Sequence, residues 1–336
     1  MHLSELTRTL VDIDSTTGRE RKVGDFLYHH LEELTGRTGD SVGRMAVAED
    51  RFNVFAAWGE PAVVLSTHMD TVPPFFASSE DDDFIHGRGA CDTKGAIAAM
   101  IRTIEELLAQ GRRGFGLLLV VGEETDSAGA QAANRQPRGS RFLINGEPTE
   151  NKLALGSKGM LYMALEAEGR AAHSAYPELG DSAIDKLLDV LARLKDVPLP
   201  ADPVLGDTTL NIGTLAGGRA HNVVADQARA EVTLRTVGDT AELRRRLAAA
   251  VHAVPGVRIA EIRETPAIHL GSLPGFETTI VKYTTDVPRL AAWGEPFLMG
   301  PGSIHVAHTP DERIAKRDLE AAVHLYQEMV RRLQDR

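Results

Sequence analysis

The sequence predicts an α/β fold in which residues 1–157 and 264–336 form a mostly parallel sheet flanked by helices, and residues 158–263 insert a smaller α+β domain. Three observations carry this. Ala62-Val63-Val64-Leu65 and Leu117-Leu118-Leu119-Val120-Val121 are short continuous apolar runs, as expected of strands buried on both faces. Between them Ala96-Ile97, Met100, Ile104 and Leu107-Leu108 keep helical spacing up to Gly111, and strand–helix–strand order suits a parallel sheet. After Glu147-Pro148-Thr149 the pattern changes character and stays changed for about a hundred residues.

Taken in order, Thr17-Gly18-Arg19-Glu20 reads as a capping box, with Thr17 as N-cap and Glu20 reaching back, ahead of a helix bearing Val23, Phe26, Leu27 and Leu31. The acidic run Glu80-Asp81-Asp82-Asp83 falls at an expected hairpin tip and reads as a solvated turn. In the insert the pattern gives a strand from Met160 to Ala167, a helix from Ser182 to Leu194 and a strand pair, Thr209 to Leu215 with Ala228 to Arg235. A helix from Ala241 to Val254 and a strand from Val257 to Ile262 follow. The last segment closes on an amphipathic helix through Leu319, Val323, Tyr326, Val330 and Leu333.

Composition excludes several classes of function. The chain has 336 residues, 37 Lys+Arg against 48 Asp+Glu, and a net charge of −11, which lacks the basic footprint that phosphate contact needs. With 2 Trp, 5 Tyr and 10 Phe it offers few platforms for stacking on bases or sugars. One cysteine forms no internal disulfide, so a reducing compartment is expected. No stretch approaches the roughly 18 apolar residues of a spanning helix. Met1-His2-Leu3-Ser4-Glu5-Leu6 has no basic, greasy leader. The expectation is a soluble cytoplasmic protein that acts on small molecules, with neither nucleic acid nor membrane as partner.

Polar residues at the carboxyl ends of parallel strands mark where such folds keep their sites. Ser66-Thr67-His68-Met69-Asp70 places His68 and Asp70 on one face if the strand continues, so that the carboxylate takes one ring proton and leaves the other nitrogen for a metal. Asp92 stands in Gly89-Ala90-Cys91-Asp92-Thr93-Lys94-Gly95, just before a helix, where a plain cap is the simpler reading. Glu123 and Glu124 follow the second apolar run; neighbouring side chains diverge, which suits one ligand and one proton carrier. Glu147 follows Phe142-Leu143-Ile144, and His305 and His308 follow the turn Gly300-Pro301-Gly302-Ser303.

In this order, H-x-D-x-V-P, G-x-x-D-x-K-G, E-E, G-E-P and A-H-x-x-D-E resemble the M20 family of metallohydrolases, along nearly the whole chain. The Gly300–Ser303 turn, Ala307-His308-Thr309-Pro310-Asp311-Glu312 and Tyr283-Thr284-Thr285-Asp286-Val287-Pro288 look most like its acetylornithine and acetylcitrulline deacetylases, although that branch often has Glu at Asp286. The resemblance implies a zinc-exopeptidase-like catalytic domain with an inserted lid and dimerisation domain. It implies two divalent ions, zinc first, with cobalt or manganese as alternatives. His68 and Glu147 would bind one ion, Glu124 and His308 the other, and Asp92 both. Asp70 would orient His68. Glu123 would activate water and later protonate the leaving nitrogen. Cys91 abuts Asp92 where the family usually carries a small residue, which implies a packing side chain.

His173, in Ala172-His173-Ser174, resembles a lid histidine that in this family reaches a partner subunit's site and steadies the oxyanion. Asn222 and Arg235 match positions that hold a substrate α-carboxylate, for which a planar guanidinium is well shaped. The expected activity is removal of an acyl group, acetyl first, from an N-acyl amino acid such as N-acetylornithine, N-acetylcitrulline or N-acetyllysine, by a homodimer. A dipeptidase, a carboxypeptidase or a succinyl-diaminopimelate desuccinylase is the alternative. A catalytically silent binding protein of the same fold would be missing a ligand or Glu123, and none is missing. The Pro74–Gly87 segment looks trimmed beside longer relatives.

Overall fold

The computed structural model describes residues 1–36 and 39–336 and divides into two compact units. The first comprises Met1–Leu155, Leu270–Thr279 and Thr285–Arg336. Its six-stranded sheet runs Ser41–Ala48, Arg51–Trp58, Phe115–Val120, Val63–His68, Phe142–Asn145, Glu295–Leu298. The last four strands are mutually parallel; the first two form an antiparallel hairpin at one edge. Every residue of Val63–His68 and Phe115–Val120 is buried, which is why these strands appear in the sequence as unbroken apolar runs.

The helix Gly95–Ala109 is buried almost all round and packs on Lys316–Gln334, where Thr103 Oγ1 donates to the Val323 carbonyl at 3.3 Å. Alanines 96, 98 and 99 let it approach its neighbours closely, while Ile97, Met100, Ile101, Ile104 and Leu107 fill the main core. Burying each large side chain contributes about 1.5–3 kcal/mol. Lys316–Gln334 buries Leu319, Val323, Tyr326, Val330 and Leu333, the stripe its periodicity predicts.

The N-terminal capping box does not form. The helix begins at Arg21; the Thr17 hydroxyl donates to Asp70 at 2.8 Å and the Glu20 carboxylate accepts from Arg51. Both side chains find more distant charged partners than the helix end offers. The segment between Pro74 and Gly87 carries a short antiparallel pair, Ser79–Glu80 with Phe84–His86, and Asp81 closes its tip by accepting the N–H groups of Asp83 and Phe84. Phe84–His86 also pairs with Arg313–Ala315 on its other side.

The second unit comprises Gly156–His269 and Ile280–Thr284, the latter a stretch that the sequence reading leaves with the first domain. Its sheet runs Thr209–Gly217, Gln227–Thr236, Gly159–Glu168, Val257–Thr265, antiparallel throughout. The helices Ala183–Asp196 and Ala241–His252 complete a β-α-β-β-α-β order. Their Leu187, Val190, Leu191, Leu243, Leu247 and Val251 pack on Leu161, Met163, Leu165, Val232 and Leu234. Ser182 caps the first helix by accepting the Asp185 N–H. Among the described residues no helix is long and apolar enough to cross a membrane.

Candidate metal centre

Because four strands of the first unit run the same way, their carboxyl ends share one edge, and the chemistry-bearing segments follow from it. His68 ends its strand, Gly122-Glu123-Glu124 turns away after Val120, Glu147 follows Asn145, and the Gly300–His308 loop follows Leu298. Asp92 comes from the turn ahead of Gly95–Ala109, with φ −121° and ψ 87°, so it is no part of the regular helix.

Asp92 stands between two histidines. Its Oδ1 lies 3.0 Å from His68 Nε2 and its Oδ2 lies 3.2 Å from His308 Nε2. The Glu124 carboxylate is 3.1 Å from the same His308 nitrogen. Glu147 Oε1 is 4.0 Å from His68 Nε2, buried, and without a hydrogen-bond partner among the described residues. Donor atoms of His68, Asp92 and Glu124 lie within 4.8 Å of one another. Imidazole and carboxylate donors without thiolate, with a buried carboxylate oxygen left unsatisfied beside them, fit a divalent cation. His308 takes a left-handed backbone, φ 62°, which is costly away from glycine. His305 is exposed and is not one of the nitrogens at Asp92.

The titration behaviour shows how strongly this cluster attracts positive charge. Hydrogen bonds to Asp92 and Glu124 raise the His308 pKa to about 10. Burial works against a charged His68, yet Asp70 and Asp92 outweigh it and raise its pKa. Asp92 is pushed down, since the two histidines overcome the burial that opposes ionisation. Burial is the largest cause of the raised pKa values of Glu123, Glu124 and Glu147, and neighbouring carboxylates add to it. Protons on two imidazoles thus occupy the electrostatic role that cations would take.

The sequence profile of peptidase family M20/M25/M40 matches residues 64–332. The chain belongs to that family. A peptidase M20 domain-containing protein of Schizosaccharomyces pombe is 39% identical over 341 residues, covering 98% of this chain and 84% of that protein. A probable carboxypeptidase of Aspergillus terreus is 40% identical over 366 residues, covering 96% of this chain and 84% of that protein. The solved structure of a tripeptidase from Staphylococcus aureus has a TM-score of 0.83 at 22% identity, covering 99% of this chain and 98% of that one, which shows a common fold. As an M20 protein the chain is a hydrolase of amide bonds. The relatives' names point to peptidases and carboxypeptidases, and not to the deacetylase branch that Gly300–Glu312 resembles.

Around this M20 centre, Asp70 does more than face His68. The regular strand ends at His68, yet the Asp70 side chain still comes back beside the His68 ring. The His68 Nδ1 lies 2.9 Å from the Asp70 carbonyl oxygen and 3.6 Å from its carboxylate. Asp70 Oδ1 accepts the N–H groups of Gly122 at 2.9 Å and Glu123 at 3.1 Å. Its Oδ2 accepts the Glu124 N–H at 3.2 Å and the Thr17 hydroxyl. It therefore pins the turn that carries both glutamates. The Glu123 carboxylate makes no hydrogen bond among the described residues. Cys91 is buried, and burial with Asp92 raises its thiol pKa, which suits packing rather than nucleophilic attack.

Three further residues stand around the centre that the sequence does not place in it. Asp286 is buried with neither carboxylate oxygen partnered among the described residues, and burial pushes it up to about 7. The buried Tyr326 hydroxyl donates to the Met299 carbonyl, and a side chain on Gly146 or Gly300, either side of the Glu147 loop, would press on that hydroxyl. Glu312 reaches the Asp92 turn. Asp286 and Glu312 lay within segments that carry the family resemblance, and nothing local in the Glu312 segment announces a partner more than two hundred residues away.

In the second unit, His173 and Asn222 are exposed and brought together. His173 bridges Val223, and the Ser174 N–H donates to the Asn222 carbonyl at 3.0 Å. Arg235 sits on the strand Gln227–Thr236 between Thr209 and Met160. It is half-buried and has no hydrogen-bond or ion-pair partner among the described residues, and burial lowers its pKa.

Proposed function

We propose that the chain is a dinuclear metal-dependent exopeptidase of carboxypeptidase type, cleaving the amide bond ahead of a C-terminal residue with a free α-carboxylate. The observation that carries it is Asp92, whose two oxygens face two different histidines with Glu147 and Glu124 on either side. His68 and Glu147 would hold one ion, His308 and Glu124 the other, and Asp92 would serve both; zinc comes first, with cobalt and manganese as alternatives. Ions held there supply the charge that polarises a scissile carbonyl and eases deprotonation of the attacking water. Glu123, half-buried and unpaired, takes the water proton and passes it to the leaving nitrogen. Asp70 holds the Glu123 main chain while it does so. His173, which the resemblance brings to a partner subunit's site, would donate to the developing oxyanion there. Asn222 and Arg235 would receive the α-carboxylate, for which a half-buried guanidinium without a partner among the described residues is suited. The carboxypeptidase name of the Aspergillus terreus relative supports this choice of substrate.

Among the described residues the strand Thr209–Gly217 has a partner on one side only, and it is largely exposed, which supports a homodimer formed through this unit. A cytoplasmic location accords with the single buried cysteine. N-acyl amino acid deacylation is the second reading, favoured by Glu147, where aminopeptidase-like M20 sequences tend to have Asp. A turnover panel with zinc or cobalt distinguishes them: N-blocked dipeptides with a free carboxyl terminus, their C-terminal amides, free di- and tripeptides, and N-acetyl and N-succinyl amino acids. Cleavage of the blocked dipeptides and not of their amides is expected. Turnover of N-acetyl amino acids and of no peptide would replace the carboxypeptidase reading with the deacylase.

A further inference from the structure

We propose that Glu312 is a positioning residue of the metal centre, which ties the turn bearing Asp92 to the segment bearing His308 and so keeps the shared carboxylate in reach of both histidines. The inference rests on the metal-centre part of the reading above and not on its substrate. Glu312 precedes the strand Arg313–Ala315, which pairs with Phe84–His86, Arg313 opposite His86. The Gly87 N–H continues the pairing to the Glu312 carbonyl at 3.0 Å. That register delivers a fully buried carboxylate beneath the Asp92 turn. Its Oε1 accepts three main-chain N–H groups, from Gly89 at 2.9 Å, Cys91 at 3.3 Å and Asp92 at 3.1 Å. Its Oε2 accepts from the guanidinium of Arg88. Arg88 is itself buried, donates through Nε to the Pro74 carbonyl at 3.2 Å and lies over the Phe76 ring.

Three N–H groups aimed at one oxygen make an anion nest, and without an acceptor all three would be buried and unsatisfied. The turn needs such an acceptor because Asp92 leaves helical geometry and its N–H has no place in a helix ladder. A buried ion pair contributes little net stability once both charges have been desolvated, so the Arg88–Glu312 pair is poorly explained as a mere staple. It is well explained as a gauge. Asp92 must meet His68 at 3.0 Å and His308 at 3.2 Å at once. His308 lies four residues before Glu312, and the Asp92 N–H is bonded to Glu312 directly. One side chain therefore sets the spacing between the shared ligand and the second histidine. Glu312 is not itself a ligand, since both its oxygens are already engaged.

The test is cobalt(II) binding to the full chain, followed by calorimetry, by visible absorption of the bound ion and by the rise in Tm on saturation. Glu312→Gln sets an amide N–H₂ against the guanidinium of Arg88. Glu312→Asp keeps the charge and shortens the reach. Each should weaken at least one of two cobalt-binding steps by about 10–100-fold, the usual effect of losing a group that orients a ligand. Each should also alter the cobalt spectrum and shrink the metal-induced rise in Tm, which a purely structural role would leave intact. Adding Arg88→Met to Glu312→Gln removes the clash of donors and should restore most of the binding. Wild-type affinity, spectrum and Tm rise in both single variants would overturn the proposal while leaving the metal centre in place. Failure of both to fold would assign Glu312 to the fold and overturn it equally. A wild-type chain that binds no cobalt would overturn the metal-centre reading and this proposal with it.

Discussion

Asp70→Asn removes one charge from the middle of the site without changing its shape, and the hydrogen bonds set the size of the effect. The carboxylate accepts four donors, two on each oxygen: Gly122 and Glu123 N–H on Oδ1, Glu124 N–H and the Thr17 hydroxyl on Oδ2. An asparagine amide does least damage with its N–H₂ at Oδ2, where Thr17 can rotate to become the acceptor. The Glu124 N–H is then orphaned, at a cost of about 1–3 kcal/mol. The two bonds left on Oδ1 lose their ionic character, which roughly halves them. The sum is about 2–4 kcal/mol of stability in the metal-free chain, with metal affinity about 10–100-fold lower because Glu124 and His68 lose their orientation. Thr17→Val removes one donor and leaves the turn in place, so it should cost about 0.5–1.5 kcal/mol. Urea denaturation of the metal-free chains and calorimetric cobalt titration read the two effects. Burial opposes a low pKa at Asp70, but His68, Thr17 and the Glu124 N–H lower it. Its contribution is therefore present above the unfolded value near 3.8 and is lost as the pH falls below it. An Asp70→Asn chain within about 0.5 kcal/mol of wild type, with unchanged cobalt affinity, would refute the pinning role given to this carboxylate.

Glu123→Ala should lower kcat by at least about 10²–10⁴-fold while metal content stays near two ions per chain, and an active variant would remove the proton-carrying role. His308→Ala should bring metal content, by elemental analysis, to about one ion per chain, since His68, Asp92 and Glu147 remain together. With His308 titrating at about 10 in the metal-free chain, metal uptake at neutral pH must displace a proton. Affinity should climb with pH up to that value, and calorimetry in buffers of different ionisation enthalpy should show proton release. The same raised pKa means that the stability His308 gives the metal-free chain is full below its unfolded value of 6.5 and fades between 6.5 and about 10. Arg235→Met should raise KM by about 10–100-fold for substrates with a free carboxyl terminus and leave kcat nearly unchanged; an unaltered KM would release Arg235 from the substrate site.

What could be read ahead of the structure was whatever a few consecutive residues encode. Strands buried on both faces leave continuous apolar runs, and the ligand-bearing turns stand directly after them, so Val63–His68, Phe115–Val120 and the acids beyond were legible together. The terminal helix was legible from one stripe. Failures came where distant partners overruled a local pattern. Thr17 and Glu20 have the spacing of a capping box, yet Asp70 and Arg51 claim them. His68 and Asp70 do face each other although the strand stops at His68. The four donors that Asp70 accepts, however, come from Thr17 and the Gly122–Glu124 turn, which nothing beside Asp70 in the sequence encodes. Glu312 was visible as a letter in a motif, but its partners follow from the pairing of Arg313–Ala315 with Phe84–His86, which no local pattern encodes. The return of Ile280–Thr284 to the second unit is likewise a matter of pairing at long range.

The interleaving of the first unit has a consequence for the order in which the protein can come into being. Four of the five candidate ligands, His68, Asp92, Glu124 and Glu147, leave the ribosome before any of the second unit is made, and His308 follows only after all of it. His68, Asp92 and Glu147 thus precede the second unit, but the Asp92 turn waits for Glu312 as the other half waits for His308. The strand Glu295–Leu298 and the helix Lys316–Gln334, which complete the sheet and its cover, arrive on the same late schedule. Synthesis therefore leaves both halves to be completed late: Glu312 and His308 emerge only once the intervening unit has been threaded out.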